Sequence, residues 1–167
     1  MVDQTPGKEN LRTRKAWDQL TSDCLCLAES AEPQRDVFMH ENDISKVVLN
    51  LCLKIHKELG PGLFESVYEN ILSYELHKAG LPFETQVEVP VKYDGKLFEK
   101  GFRADIIVAD KVLIELKSVE KISNVHKKQV LTYLKLTGIK LGLLINFNEK
   151  LMKYGFTRVV NNLEEEA

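Results

Sequence analysis

The sequence predicts an α/β domain with a mixed central sheet flanked by helices. Three observations carry that prediction. Stretches near 44–59 and 63–78 repeat apolar residues with a helical period, and hairpin-like alternations follow over 83–99 and 101–117. Leu141–Asn146 is a short, nearly all-apolar run, the pattern of a strand covered on both faces. The order helix, helix, three or four strands, helix, strand, strand makes a sandwich of helices around one sheet.

Asn42 or Asp43 is a sound N-cap for a helix ending about Leu59, with Ile44, Val47, Val48, Leu51, Ile55 and Leu59 as its buried stripe. Gly60-Pro61-Gly62 stops it. A second helix, about Leu63 to Lys78, is expected to bury Phe64, Val67, Ile71, Leu72 and Leu76 before Gly80 and Pro82 end it. Phe83–Tyr93 alternates Val87, Val89 and Val91 with polar residues, and Pro90 suggests an edge strand or a bulge. Asp94-Gly95 then turns the chain back through Lys96–Glu99.

Gly101–Lys117 reads as two strands folded on each other around Ala109-Asp110-Lys111. If Val108 pairs with Val112, then Ile107 faces Leu113, Asp105 faces Glu115 and Arg103 faces Lys117. Opposed residues in such a pair have Cβ atoms about 5 Å apart. Two carboxylates that close repel unless a proton or cation lies between them. Glu115 and Lys117 share one face and Leu116 points to the other. Ser123 or Asn124 caps a third helix, His126 to Thr137, ended by Gly138, and a last strand is expected over Gly155–Val160.

At 167 residues, with 44% hydrophobic content, the chain suits one domain of ordinary size beyond its extensions. No apolar run approaches the roughly 20 residues needed to cross a bilayer, and the start lacks the layout of a signal peptide. Three cysteines, an odd number, suggest reduced thiols and a cytoplasmic setting. Residues 1–38 show no sustained period and are expected to be a flexible extension. Met39, directly before the first patterned element, is a candidate natural start. Residues 39–163 form the expected domain, and 164–167 an acidic tail. Residues 40–163 carry 18 Lys/Arg against 15 Asp/Glu, a balance of +3 that permits nucleic-acid binding without demanding it. Cys24-x-Cys26 with Cys52 and His56 departs from the common zinc spacing, and no zinc site is expected.

Glu65, in the first turn of the second helix, either favours the helix dipole or supplies a third carboxylate, and Tyr68 shares its face. On the third helix His126, Gln129 and Tyr133 form one polar-aromatic stripe where a sheet-packed helix usually carries Leu or Val. The plainer alternative keeps Tyr133 in the core and leaves Gln129 and His126 solvated. Lys121, Lys127, Lys128 and Lys135 flank the stripe, as phosphate binders or as an ordinary helix surface.

HKELGPGLFESVY, GFRADIIVADKVLIELKSVE, VHKKQVLTYLKLTG and KLGLLINFN together resemble the GxxExxY family of the PD-(D/E)XK nuclease superfamily, over about Asn42 to Val160. The resemblance implies a restriction-endonuclease-like core of order αβββαβ, with the active site at the mouth of a central hairpin. It implies that Asp105 and Glu115 bind Mg²⁺ or Mn²⁺, helped by the Leu116 carbonyl and by Glu65. Lys117 would orient the attacking water, and Gln129 and Tyr133 would match a QxxxY motif, with His126 beside it in no firm role. Ala104 stands where the superfamily's eponymous Pro would precede Asp105. The implied activity is metal-dependent hydrolysis of nucleic acid, DNA ahead of RNA; separately, exposed edge strands and a compact single domain allow a homodimer. Rival readings are a non-catalytic nucleic-acid binding or assembly module on the same fold, and a small-molecule phosphodiesterase.

Overall fold

The computed structural model describes residues 39–163. The expectations for residues 1–38, for the acidic tail and for Cys24 and Cys26 lie outside the described residues. The elements run α1 (Glu41–Leu59), α2 (Glu65–Lys78), β1 (Phe83–Tyr93), β2 (Lys96–Val108), β3 (Val112–Lys117), α3 (Asn124–Thr137), β4 (Leu141–Asn146), a short turn α4 (Met152–Gly155) and β5 (Phe156–Val160). From α2 to β4 this is the αβββαβ order. The five strands lie side by side in chain order. Only β3 and β4 pair in parallel, joined by α3; the other neighbours are antiparallel.

The sheet separates two cores. Ile44, Val48, Cys52 and Ile55 of α1 and Tyr68, Leu72 and Leu76 of α2 pack against Ile106, Val108, Val112, Ile114, Leu116, Leu143 and Ile145. On the other face Val130, Tyr133 and Leu134 of α3 pack against Val89, Ala104, Ile107, Leu113 and Leu144. Every residue of β4 is buried, as its unbroken apolar run requires. Gly142 lets α3 lie close, since a Cβ there would meet Val130 Cγ1 at 2.5 Å.

Several local expectations are corrected. The N-cap of α1 is His40, whose Nδ1 accepts the Asn42 N–H at 3.3 Å; Asn42 and Asp43 lie inside the helix. Cys52 joins the buried stripe, Val47 and Leu51 are half-buried, and Leu59 is exposed. Helix α2 starts at Glu65, and its buried face is rotated to Tyr68, Leu72, Glu75 and Leu76, so Phe64 and Val67 are exposed. Tyr68 explains the rotation. Its ring stacks on Phe147 at 4.2 Å, its hydroxyl donates to the Gly60 carbonyl at 2.7 Å, and it accepts the Leu63 N–H at 3.3 Å. The tyrosine buries a large ring while satisfying its polar tip. Helix α3 starts at Asn124 behind an N-cap at Ser123, and β5 begins at Phe156 after a turn that the sequence reading missed.

β1 is an edge strand, and its register shifts between Val89 and Val91, around Pro90. Asp94 and Gly95 both have positive φ, the signature of a two-residue hairpin turn. Lys96–Val108 is one long strand rather than two pieces. Among the described residues no helix is long and apolar enough to cross a membrane.

Candidate active site

Near its loop the β2–β3 hairpin has the expected register: Val108 pairs with Val112, Ile107 with Leu113 and Ile106 with Ile114. The loop turns through Ala109 and Asp110, both at positive φ. Beyond Ile106 the strands part. The expected continuation, with Asp105 opposite Glu115 and Arg103 opposite Lys117, does not form. Arg103 pairs with Glu88 on β1, and Lys117 pairs with Asn146 on β4. Asp105 Oδ2 instead accepts the Leu116 N–H at 2.8 Å, so a side chain takes the place of a ladder bond.

The parting has a visible origin in the pleat. Ile106 and Val108 enter the α1–α2 core, whereas Ala104 enters the α3 core, so strict alternation slips at Asp105. Asp105 lies between the pairs Thr85–Ile106 and Val87–Ala104, and so does Gln86 on β1. Gln86 has φ of 54°, rare for a residue with a side chain and a frequent companion of functional sites. Its amide donates to both carboxylate oxygens of Glu69 at 2.8 Å. Gln86 and Glu69 escaped the sequence reading. Glu69 stands one turn after Glu65 on α2, which was the available signal, and its charge is felt at Asp105.

Glu115 and Lys117 point to the α3 side of β3. Glu115 is only 3% exposed. Lys117 Nζ donates to Glu115 Oε1 at 2.7 Å and to the Leu116 carbonyl at 2.9 Å. Glu115 Oε2 is buried without a hydrogen-bond partner. Burial, then the charge of Asp105, push the Glu115 carboxyl above its ordinary range, against the pull of Lys117. Burial also raises Asp105, opposed first by the Leu116 N–H and then by Lys117, and reinforced by Glu69 and Glu65. For Lys117 burial is the largest single influence and acts downward. The Glu115 hydrogen bond and the surrounding carboxylates outweigh it, so its pKa is raised and the ammonium stays charged.

The remaining sequence candidates divide. Gln129 donates to the Tyr133 hydroxyl at 2.5 Å, and the Tyr133 ring packs at a tilt on Phe102 with centroids 4.6 Å apart. Burial raises the Tyr133 hydroxyl pKa, and the charges of Glu115, Lys117 and Asp105 all reach it, so the tip of this side chain belongs to the cluster. His126 does not. Its Nδ1 accepts the Ser123 N–H at 3.2 Å and caps α3. Lys121, Lys127, Lys128 and Lys135 are exposed. Glu65 acts within the field of Asp105, Glu115 and Lys117, but its Oε1 accepts the Ser118 N–H at 3.0 Å. Ser118 Oγ donates to the Leu63 carbonyl at 2.7 Å, fastening the chain after β3 to the start of α2. Asn146 fastens it from the other side. Its side chain is fully buried, accepts the Val119 N–H at 3.1 Å and donates to the Val119 carbonyl at 2.8 Å. Cys52 is a free, buried core thiol, and His56 Nε2 meets the Glu149 carbonyl at 2.8 Å.

The donor set fits a hard divalent cation. Two neighbouring carboxylates are both driven toward protonation, and one keeps a buried oxygen unsatisfied; a cation relieves both conditions. Among the described residues no three His, Cys, Asp or Glu side chains gather closely enough to hold a metal ion by themselves. Mg²⁺ seldom needs such a set, because it is commonly held by one or two carboxylates together with waters and substrate phosphate.

No curated protein matches the chain, and no solved structure matches it. A family model of the PD-(D/E)XK nuclease superfamily does match, over residues 42–159. That span runs from α1 into β5 and contains every residue of the charged cluster. With well over half of its length matched, the chain belongs to the PD-(D/E)XK nuclease superfamily.

Proposed function

We propose that residues 39–163 are a metal-dependent nuclease of the GxxExxY group, hydrolysing phosphodiester bonds in DNA ahead of RNA, in the cytoplasm. The observation that carries this reading is the buried, unpartnered Glu115 Oε2 in a cluster with Asp105 and a charged Lys117. Asp105, Glu115 and the Leu116 carbonyl would hold Mg²⁺ or Mn²⁺. When bound, such a cation supplies positive charge that acidifies water and neutralises the phosphate.

The chain's own groups supply the rest. Lys117 is held by Glu115 Oε1 and the Leu116 carbonyl, and its ammonium would donate a hydrogen bond that orients an attacking water or stabilises charge developing on a phosphate oxygen. Gln129 donates to the Tyr133 hydroxyl, and in this reading that hydroxyl orients the phosphate. Glu65, through Ser118, holds the end of β3 against α2 and is in our reading a positioning residue with a secondary, water-mediated part in metal binding. The GxxExxY motif gains a local reason. Gly62 has φ of 107°, Tyr68 ties down the preceding loop, and Glu65 reaches from that loop to the residue after Lys117. The sheet edges β1 and β5 make a homodimer the assembly to test.

The test is cleavage of single-stranded DNA, double-stranded DNA and RNA in Mg²⁺, Mn²⁺ or EDTA, with Asp105→Ala and Lys117→Ala purified identically. Metal-dependent cutting by the wild type, lost in both variants, is expected. Binding without cutting, equal in wild type and variants and indifferent to metal, would replace the nuclease with a binding module.

A further inference from the structure

Phe64 is poorly explained by stability. It occupies the N-cap of α2, where Ser, Thr, Asp or Asn would satisfy a free N–H, and it makes no side-chain capping bond. The residue is 82% exposed, more than any other large hydrophobic residue among the described residues. It lines an open cleft with Leu63, Glu65, Ser118 and Asn148. Two of those residues place the cleft beside the charged cluster. Ser118 directly follows Lys117, and Glu65, which follows Phe64, bonds the Ser118 N–H. The backbone leading into Phe64 is held, because the Leu63 carbonyl accepts from Ser118 Oγ and the Leu63 N–H donates to the Tyr68 hydroxyl.

Resting on the nuclease reading, we infer that this cleft is a nucleobase subsite in which Phe64 stacks on an unpaired base next to the scissile phosphate. Continuity with the cluster argues for this occupant. A strand whose phosphate lies at Asp105, Glu115 and Lys117 carries its neighbouring nucleotide past the end of β3, where Ser118, the residue after Lys117, lines the cleft. An exposed aromatic face suits any base, since every base has a π-face. The Asn148 amide adds a polar group that a base edge can use. Because a paired base cannot leave its stack without cost, the subsite favours single strands, frayed ends and flaps over intact duplex.

The experiment uses the full chain, a single-stranded oligonucleotide carrying 2-aminopurine, and a matched duplex. Binding is followed by anisotropy and by 2-aminopurine quenching in Ca²⁺ and in EDTA, and cleavage is followed in Mg²⁺. Wild type is expected to bind the single strand with quenching. Phe64→Ala should weaken that binding about tenfold and abolish the quenching, while Phe64→Trp restores both. Phe64→Ala that binds and quenches like wild type, in a protein that cuts, overturns the subsite and leaves the nuclease standing. Quenching that depends on Phe64 without any cutting upholds the subsite and overturns the nuclease. A wild type that neither binds nor cuts overturns both. An unchanged thermal midpoint for Phe64→Ala is the check that folding is not what the variant alters.

Discussion

The two ends of the β2–β3 hairpin differ sharply although only a few residues separate them. At the loop end the strands are apolar, fully paired and sealed between two cores. At the open end they part, a carboxylate replaces a ladder bond, one buried oxygen has no partner, and the opposing strand carries a left-handed Gln86. The loop end is what a stable hairpin looks like; the open end is a place where stability has been given up. Such concessions concentrate where function needs them.

Mutations should separate the two ends, and the largest effect belongs to the open one. Lys117→Ala is expected to lower kcat by about 10²–10³-fold, the usual loss for one preorganised group that stabilises developing charge. Single-turnover cleavage with unchanged thermal stability would support the division; near-normal turnover would break it. At the closed end Ile114→Ala should reduce unfolding free energy by about 3 kcal/mol in urea titrations while leaving kcat per folded molecule intact. Gly142→Ala drives a methyl into Val130, and about 1–3 kcal/mol of destabilisation is expected. If Gly142 also sets the seat of Tyr133, KM or kcat will move with it.

The smallest effect has the opposite sign. Asp105→Asn keeps an acceptor for the Leu116 N–H but removes a charge that the fold resists, so in EDTA at neutral pH it should stabilise the protein by about 0.5–1 kcal/mol. The raised carboxyls of Asp105 and Glu115 mean that the folded state holds their protons more tightly than the unfolded state does. Their contribution is therefore full below the unfolded pKa values and is lost as pH rises through the higher folded ones. The advantage of Asp105→Asn should grow over that same interval. Added Mg²⁺ should raise the wild-type melting temperature and leave that of Asp105→Asn nearly fixed. An advantage independent of pH would show that the open end is not electrostatically strained.

How much of this was legible in the sequence follows from the range of each interaction. The hairpin register near Val108 and Val112 was readable because two-residue alternation and a three-residue loop are local signals. The parting at Asp105 was not, since it depends on a pleat slip shared with Gln86 on another strand. The face of α2 was misread for a similar reason. Apolar spacing favoured Phe64 and Val67, but the distant Phe147 offered Tyr68 a stacking partner. Glu69 drew no attention because its partner lies 17 residues away. His126 and Tyr133 looked like members of one stripe, and only the packing of α3 shows that the first caps the helix and the second faces the cluster.

The connections of β3 carry a consequence for the order of assembly. Its antiparallel neighbour is reached through a three-residue loop, whereas its parallel neighbour must wait for all of α3 to fold across. Short closures are favoured early, and hairpins form within about 1–10 μs, well ahead of non-local pairing. Asp105 and Glu115 thus become neighbours while the chain is still immature. The segment after Lys117, tied to the start of α2 through Ser118, gains its ties to the other side when β4 arrives, through the Phe147 N–H on the Lys117 carbonyl and Asn146 on Val119. A nascent chain holds Asp105, Glu115 and Lys117 on one hairpin before the backbone that follows Lys117 is tied to β4, and the complete arrangement marks a molecule that has finished folding.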